Sequence, residues 1–154
     1  VTNIDTCVNR LATNNSHLDK DDPLYRQMGC WMFGCDICQK ACPYNRGAGT
    51  EEDDFPGVAE LAPHLTPEAI LSSDYESLGK RFYPKFFYVQ PDRLWHWKIN
   101  AINCIVNGYE DRHAPLLRSA LRDKDAHVRD RARWAIEKLG MSNEERIDRY
   151  EENI

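Results

Sequence analysis

Cys35, Cys38 and Cys42 follow one another at a C-x2-C-x3-C spacing, and Pro43 comes directly after the last of them. This pattern is the second half of the bacterial ferredoxin signature, in which thiolates hold an iron–sulfur cluster and the cysteine before proline binds a neighbouring cluster. Thiolates are soft ligands that suit iron bridged by sulfide, and a short loop directs several of them to one point. The motif therefore predicts an iron–sulfur protein that transfers electrons.

Zinc is the first alternative for these cysteines. Structural zinc sites usually take two Cys-x2-Cys pairs, or one such pair with two histidines. Cys35 and Cys38 form one such pair, and the five histidines show no spacing typical of a second half-site. A thiol–disulfide redox pair is the second alternative, but it does not account for a third cysteine followed by proline. Both alternatives stay open.

Cys30 allows a further interpretation of the same segment. Cys30-x4-Cys35-x2-Cys38 matches the plant-type [2Fe–2S] spacing, which needs a distant fourth cysteine such as Cys7 or Cys104. That ligand set gives no role to Cys42, the cysteine before Pro43. We therefore expect Cys30 to be a small buried thiol or a residue beside the cluster ligands, and Cys104 to be a core cysteine on a helix.

Composition limits the class of protein. With 154 residues and 42% hydrophobic content, the chain suffices for one modest domain or two small ones. No apolar run reaches the ~18 residues that span a bilayer and no leader is visible, so we expect a cytoplasmic protein with no membrane partner. Six cysteines in such a chain favour reduced thiols. The formal net charge of −5 argues against broad nucleic-acid binding but permits a local basic face.

The chain divides into three predicted parts, and the predicted fold class is mostly α. Residues 1–50 hold five of the six cysteines and form a ferredoxin-type iron–sulfur binding segment. Residues 51–91 form a linker with short helices, one beginning at Thr66 and one within the stretch Ser73-Asp74-Tyr75-Glu76, and an irregular segment interrupted by Pro84 and Pro91. Residues 92–154 form a HEAT-like α-helical repeat tail, because apolar residues recur there at three- and four-residue steps. Its last predicted helix runs from 142 toward 151.

The order of these features resembles the C-terminal half of epoxyqueuosine reductase. Cys7 comes first, then Gly34-Cys35-x2-Cys38-x3-Cys42-Pro43, then a variable acidic linker and a HEAT-like tail. The resemblance is most specific around residues 31–39 and weak between residues 51 and 92. It implies two [4Fe-4S] clusters beside a cobalamin, and reduction of the epoxide of a modified tRNA base. Residues 1–50 would then be the C-terminal part of a double-cluster ferredoxin-type domain.

The resemblance also implies a division of the ligands. Cys7, Cys35 and Cys38 would hold one [4Fe-4S] cluster, and Cys42 would bind the other, whose remaining ligands come from an upstream Cys-x2-Cys-x2-Cys motif. That motif and the family's cobalamin-binding domain are not in this sequence. The expected partners are therefore a missing upstream catalytic domain, an electron-donor protein or reductant, and tRNA.

The expected function is iron–sulfur electron transfer within an epoxyqueuosine reductase-like oxidoreductase, and no catalytic side chain is predicted in this chain. Two alternatives stay open. One is a non-catalytic [4Fe-4S] electron-transfer module or a reductase of another substrate, which residues 86–88 favour because they are aromatic where the family has a basic segment. The other is a zinc-binding helical-repeat adaptor.

Two further groups of side chains carry expectations. Trp31, Phe33 and Ile37 flank the cysteines and are expected to bury a cluster and so tune its reduction potential. Five arginines of the tail predict a basic ridge for an RNA backbone, whereas the aspartates between them equally predict a solvated, salt-bridged face. These arginines are Arg118, Arg122, Arg129, Arg131 and Arg133, and Arg131 is the one not assigned a phosphate contact.

Overall fold

The computed structural model describes residues 4–13, 22–47 and 56–141, and within them the chain is mostly helical, as predicted, with no strand. The helices are α1 (Val8–Thr13), α2 (Leu24–Gln27), α3 (Ile37–Ala41), α4 (Val58–Leu61), α5 (Pro67–Ser72), α6 (Tyr75–Phe82), α7 (Trp95–Asn107), α8 (Ala114–Ala120) and α9 (Ala126–Lys138). In these ranges no helix has the length and apolar character needed to cross a membrane. The helix predicted over 142–151 lies outside the described residues. The ferredoxin-type and HEAT-like details and the boundaries at 50 and 91 stay predictions.

Two predicted helix starts are confirmed. Thr66 Oγ1 accepts a hydrogen bond from the Ala69 backbone N–H at 3.1 Å and so caps α5. Asp74 Oδ1 accepts one from the Ser77 N–H at 2.7 Å and caps α6. Pro67 takes the first position of α5, where its missing N–H would have had no partner in the helix. These starts are local, since each cap lies three residues from the N–H group that it satisfies.

Helix α7 is the central element of the fold. Every residue in the range 96–105 is buried, because α5 and α9 both pack on α7 and α8 packs in turn on α9. One apolar cluster joins α7 to Leu117 and Val128. A second cluster surrounds Trp97, whose ring stacks on Phe82 with centroids 4.4 Å apart. Residues on both sides of position 91 therefore share a core around α7, which is enclosed by its neighbours.

A buried ion pair fixes the turn between α8 and α9. Lys98 Nζ donates a hydrogen bond to Asp123 Oδ2 at 2.7 Å, and the Tyr75 hydroxyl donates one to Asp123 Oδ1 at 2.5 Å. Burial raises the pKa of Asp123, but the hydrogen bonds from Lys98 and Tyr75 outweigh it, and the resulting pKa is lowered. Removing one partner would leave a buried charge uncompensated, which is strongly destabilising. Helices α6 and α7 are thus locked to this turn.

Asn100 of α7 ties two segments near the cysteines to the core. Its Nδ2 donates to the backbone oxygen of Ala12 at 2.8 Å and to that of Met32 at 2.6 Å. Ala12 belongs to α1, which begins immediately after Cys7, and Met32 lies three residues before Cys35. One buried amide therefore positions the surroundings of two predicted cluster ligands.

Asn107 of α7 holds α2 in the same way. Its Nδ2 donates to the backbone oxygens of Tyr25 at 2.9 Å and Gly29 at 2.8 Å. From the other side, Arg131 of α9 donates from Nη2 to the Tyr25 hydroxyl at 2.7 Å. The Arg131 guanidinium also lies over the rings of Tyr25 and Trp134, at 4.4 and 4.8 Å from their centroids. Helix α2 is thus held by side chains of both α7 and α9.

We expect Asn100→Leu to lower the free energy of unfolding by about 2–4 kcal/mol, because it leaves two backbone oxygens without a donor. Asn103, one turn further along α7, is also buried, but its amide atoms have no hydrogen-bond partner among the described residues. Asn103→Leu is therefore the matched control, with an unchanged or higher free energy of unfolding. Urea unfolding measures both variants. Equal losses in the two would contradict the role of Asn100.

Candidate functional site

The predicted cluster loop is built around the short helix α3. Cys35 stands just before it and follows Gly34, whose φ of +71° suits glycine and few other residues. Cys38 lies in the first turn of α3 and is exposed, whereas Cys42 ends the helix and is half-buried. Asn45 steadies the following turn, since its backbone N–H donates to Cys42 O at 3.1 Å. Three thiols are thus arranged along a single compact loop.

Cys7 lies at the start of α1, half-buried, and its backbone oxygen accepts a hydrogen bond from Leu11 N at 2.9 Å. Like the other five cysteines it is a free thiol. The thiols have the chemistry that an iron–sulfur cluster or zinc requires. The described ranges, however, bring no three Cys, His, Asp or Glu side chains together as a metal site. Thiols are therefore the right type of ligand for the predicted cluster, but the described residues do not form a complete set of ligands around one point.

A cavity of about 570 Å³ opens beside Cys35. Its walls include Asn9 of α1, Tyr88 of the loop before α7, and Arg93 and His96 at the start of α7. No motif spacing links Arg93 and His96 to the cysteines, so the sequence alone predicts no role for them. The fold supplies the link, and it places a positively charged side chain and an imidazole on the wall of the cavity that Cys35 lines.

His96 is buried, and its pKa is lowered to about 4. Burial is the main cause, since it disfavours the charged imidazolium, and the neighbouring Arg93 guanidinium adds repulsion between like charges. A hydrogen bond to the backbone of Thr13 acts in the opposite direction but is weaker. The cavity beside Cys35 thus contains a neutral histidine at pH 7.

The apolar side chains near the cysteines differ from expectation. Trp31 is 39% exposed and Ile37 is 54% exposed, so these two do not bury the loop within the described structure. Phe33 does pack inward, with its ring centroid 4.0 Å from that of Trp97. Ile37 lies in α3, a helix of only five residues with none of them buried, so its apolar side chain faces solvent.

A second cavity, of about 530 Å³, is lined by Cys30 and Cys104. Cys104 is buried, as predicted, and both burial and the adjacent Cys30 thiol raise its pKa. The expectation that Cys30 is buried was wrong, since Cys30 is exposed. Met28 takes the core position, and Gly29, with φ +54°, turns the chain outward. Cys30 and Cys35 therefore line different cavities, which argues against the plant-type ligand set.

The predicted arginine ridge is divided by the fold. Arg129 turns inward, and its Nη1 donates to the backbone oxygen of Asp123 at 2.7 Å. Arg118 is half-buried, whereas Arg122 and Arg133 are exposed. Two exposed arginines remain as the strongest candidates for contact with an external anion.

The chain is similar to epoxyqueuosine reductases of several bacteria. It is 31% identical to that of Staphylococcus aureus (strain NCTC 8325 / PS 47) over 140 residues, which cover 87% of this chain and 34% of that protein. Identity is 34% over 114 residues with that of Lactococcus garvieae (strain Lg2), covering 70% and 30%. It is 29% over 148 residues with that of Bacillus subtilis (strain 168), covering 90% and 35%.

The expected resemblance to part of an epoxyqueuosine reductase is therefore confirmed. The chain spans about a third of the length of these curated relatives. No protein-family model matches the chain, and no solved structure matches it.

We expect His96 to make the protein less stable as the pH falls from 7 to 5. The unfolded chain protonates this histidine near pH 6.5 and the folded chain near pH 4, so the unfolded state binds more protons in between. The loss is on the order of 2 kcal/mol of unfolding free energy. Urea unfolding at both pH values measures it. His96→Gln should remove this part of the pH dependence and the control His64→Gln should keep it. If both variants showed the same pH dependence, the assignment of this effect to His96 would be contradicted.

Proposed function

We propose, from its similarity to epoxyqueuosine reductases, that this chain is the electron-transfer part of an oxidoreductase that reduces a modified tRNA base. The similarity carries the proposal, because it extends over 70% to 90% of the chain in the three relatives above. The loop with Cys35, Cys38 and Cys42 supports it, since thiolates are the usual ligands of iron–sulfur clusters.

Cys7, Cys35 and Cys38 would hold one [4Fe-4S] cluster, and Cys42 would bind a second one. Bound clusters supply one-electron transfer at a potential set by burial and by hydrogen bonds to sulfur. The cobalamin that the resemblance implies is assigned to no residue of this chain. What the chain itself contributes is the placement of the thiols and the polarity around them.

Helix α7 does most of that positioning. Asn100 holds the backbone on either side of the proposed site, through α1 after Cys7 and through Met32 before Cys35. Arg93 and His96 line the cavity at Cys35, one with a positive charge and the other with a neutral imidazole. A positive charge next to thiolate ligands stabilises the negatively charged site and limits its cost of burial.

The helical tail would contact tRNA through its exposed cations. Arg122 and Arg133 are the exposed members of the predicted ridge. Arg133 is paired with Asp130 at 3.8 Å, but both side chains are more than half exposed, so this ion pair is weak and its arginine is available to a phosphate.

The metal content tests the electron-transfer role. Protein purified without oxygen from the cells that produce it should be brown and contain iron and acid-labile sulfide in about equal amounts. Cys35→Ala should lose one cluster and keep part of the second, because Cys42 is assigned to the other one. Iron and sulfide analysis with visible absorbance measures the outcome.

Cys30→Ala is the matched control, since Cys30 lines a different cavity and should leave the iron content unchanged. Stoichiometric zinc without sulfide would refute the clusters and favour the zinc-binding adaptor. Clusters in a protein that reduces no tRNA base would favour an electron-transfer module or a reductase of another substrate.

Reversing the charge of both exposed arginines tests the tRNA contact. We expect the double variant Arg122→Glu, Arg133→Glu to bind tRNA more weakly. Its affinity should also depend less on salt: the magnitude of the slope of log affinity against log salt should fall by about 2, one for each lost phosphate contact. Filter binding at several salt concentrations measures both quantities. The double variant Arg26→Glu, Lys80→Glu makes the same change in net charge at other exposed positions. Equal weakening by the two variants would show an effect of net charge alone and would contradict a specific ridge.

A further inference from the structure

We propose that Cys30 and Cys104 form a reversible disulfide when the protein meets hydrogen peroxide, as an oxidant-sensitive site separate from the proposed cluster ligands. This inference goes beyond the proposed function and does not depend on it. Neither cysteine is assigned to a cluster, and the two lie 74 positions apart in the sequence.

The two thiols meet at the C-terminal end of α7. Cys30 Sγ donates a hydrogen bond to the backbone oxygen of Cys104 at 3.5 Å, and both residues line the second cavity. A Cβ atom at Gly108 would lie 3.6 Å from Cys30 Sγ, an ordinary van der Waals distance, so the Cys30 sulfur lies beside the residue that follows α7. Because Cys30 is exposed, its side chain can rotate toward Cys104 without disturbing the core. A disulfide joins the two sulfurs at about 2.05 Å, so its formation requires the Cys30 sulfur to move from the Cys104 backbone oxygen onto the Cys104 sulfur.

The two cysteines have different roles in the reaction. Cys30 is the exposed thiol and is accessible to peroxide, whereas Cys104 is only 6% exposed. The raised pKa of Cys104 keeps this thiol protonated in the reduced protein. Peroxide therefore reacts first at Cys30, and attack by Cys104 is the second and slower step.

The chemistry is balanced with one molecule of hydrogen peroxide. The Cys30 thiolate attacks one peroxide oxygen, the O–O bond breaks, and Cys30 becomes a sulfenic acid with release of hydroxide. The Cys104 sulfur then attacks the Cys30 sulfur, an S–S bond forms, and the S–O bond breaks. The proton of Cys104 leaves with the departing hydroxyl group as water. The hydroxide from the first step takes up the proton that Cys30 lost on ionisation. In total two thiols lose two electrons, and the peroxide is reduced to two molecules of water.

The nearby histidine is not available as a base for this reaction. His113 lines the same cavity, but its Nδ1 accepts a hydrogen bond from the Glu110 N–H at 3.0 Å. Its Nε2 lies 3.1 Å from Glu68 Oε1 and, in the tautomer set by Nδ1, donates to it. The reaction thus rests on the position of the Cys30 sulfur against Cys104 and not on a neighbouring base.

Peptide mapping after oxidation tests the proposal. The purified protein is treated with hydrogen peroxide, its remaining thiols are blocked with iodoacetamide, and chymotrypsin cleaves after Trp31 and Phe33. This cleavage separates Cys30 from Cys35 and Cys38, which trypsin would leave on the same peptide. We expect a peptide pair joining Cys30 to Cys104, lighter by two hydrogens than the separate peptides, and its disappearance with dithiothreitol.

Two variants separate the steps. In Cys104→Ser, Cys30 should remain a sulfenic acid that dimedone labels, because the second thiol is missing. In Cys30→Ser, Cys104 should stay unmodified, because peroxide does not reach it. Linkage of Cys30 to Cys35, Cys38 or Cys42, or an unmodified Cys30 in the wild-type protein, would overturn the proposal. The mapping of the wild-type protein decides this even if a variant fails to fold.

Discussion

The hydrogen bonds from the α7 asparagines to the N-terminal backbone are the interaction on which the rest of the structure depends. Helices α1, α2 and α3 are four to six residues long, far too short to be stable on their own. Asn100, which is buried, gives α1 and the segment before Cys35 a donor inside the core, and Asn107, near the exposed end of α7, donates to two backbone oxygens of the α2 turn. Because Asn100 is buried, loss of its amide would leave the Ala12 and Met32 backbone oxygens without a donor, and the cost of that state holds these two segments in place.

The same helix separates two kinds of thiol chemistry. His96, near its first turn, lines the cavity of Cys35, while Cys104, near its last turn, meets Cys30. Cys104 follows His96 by eight positions along the α-helix, a rise of about 12 Å. The Lys98–Asp123 pair fixes α7 between these ends against α6 and the α8–α9 turn. A rigid helix thereby keeps the proposed cluster ligand and the oxidant-sensitive pair apart, although Cys30 and Cys35 are close in sequence.

Expectations that rested on local chemistry agree with the structure, and those that required knowledge of neighbours agree less well. The caps at Thr66 and Asp74 were predictable, because each satisfies an N–H group three residues away. Burial of Cys30 was predicted wrongly, since Met28 fills the core position instead. The spacing of the arginines predicted only part of the ridge correctly, because the Arg129 side chain donates a hydrogen bond to the backbone of the preceding turn. That contact depends on how α8 turns into α9.

The sequence by itself determined the helical class, the two capped helices, the buried Cys104 and the thiol-rich loop that resembles epoxyqueuosine reductases. These follow from residue spacing and from side chains that act within a few positions of themselves. Only the tertiary structure decided that His96 stays neutral beside Cys35 and that Cys30 lies against Cys104. Both results depend on groups brought together from distant parts of the chain. Burial and contact at such places are set by packing around α7, which no local pattern in the sequence encodes.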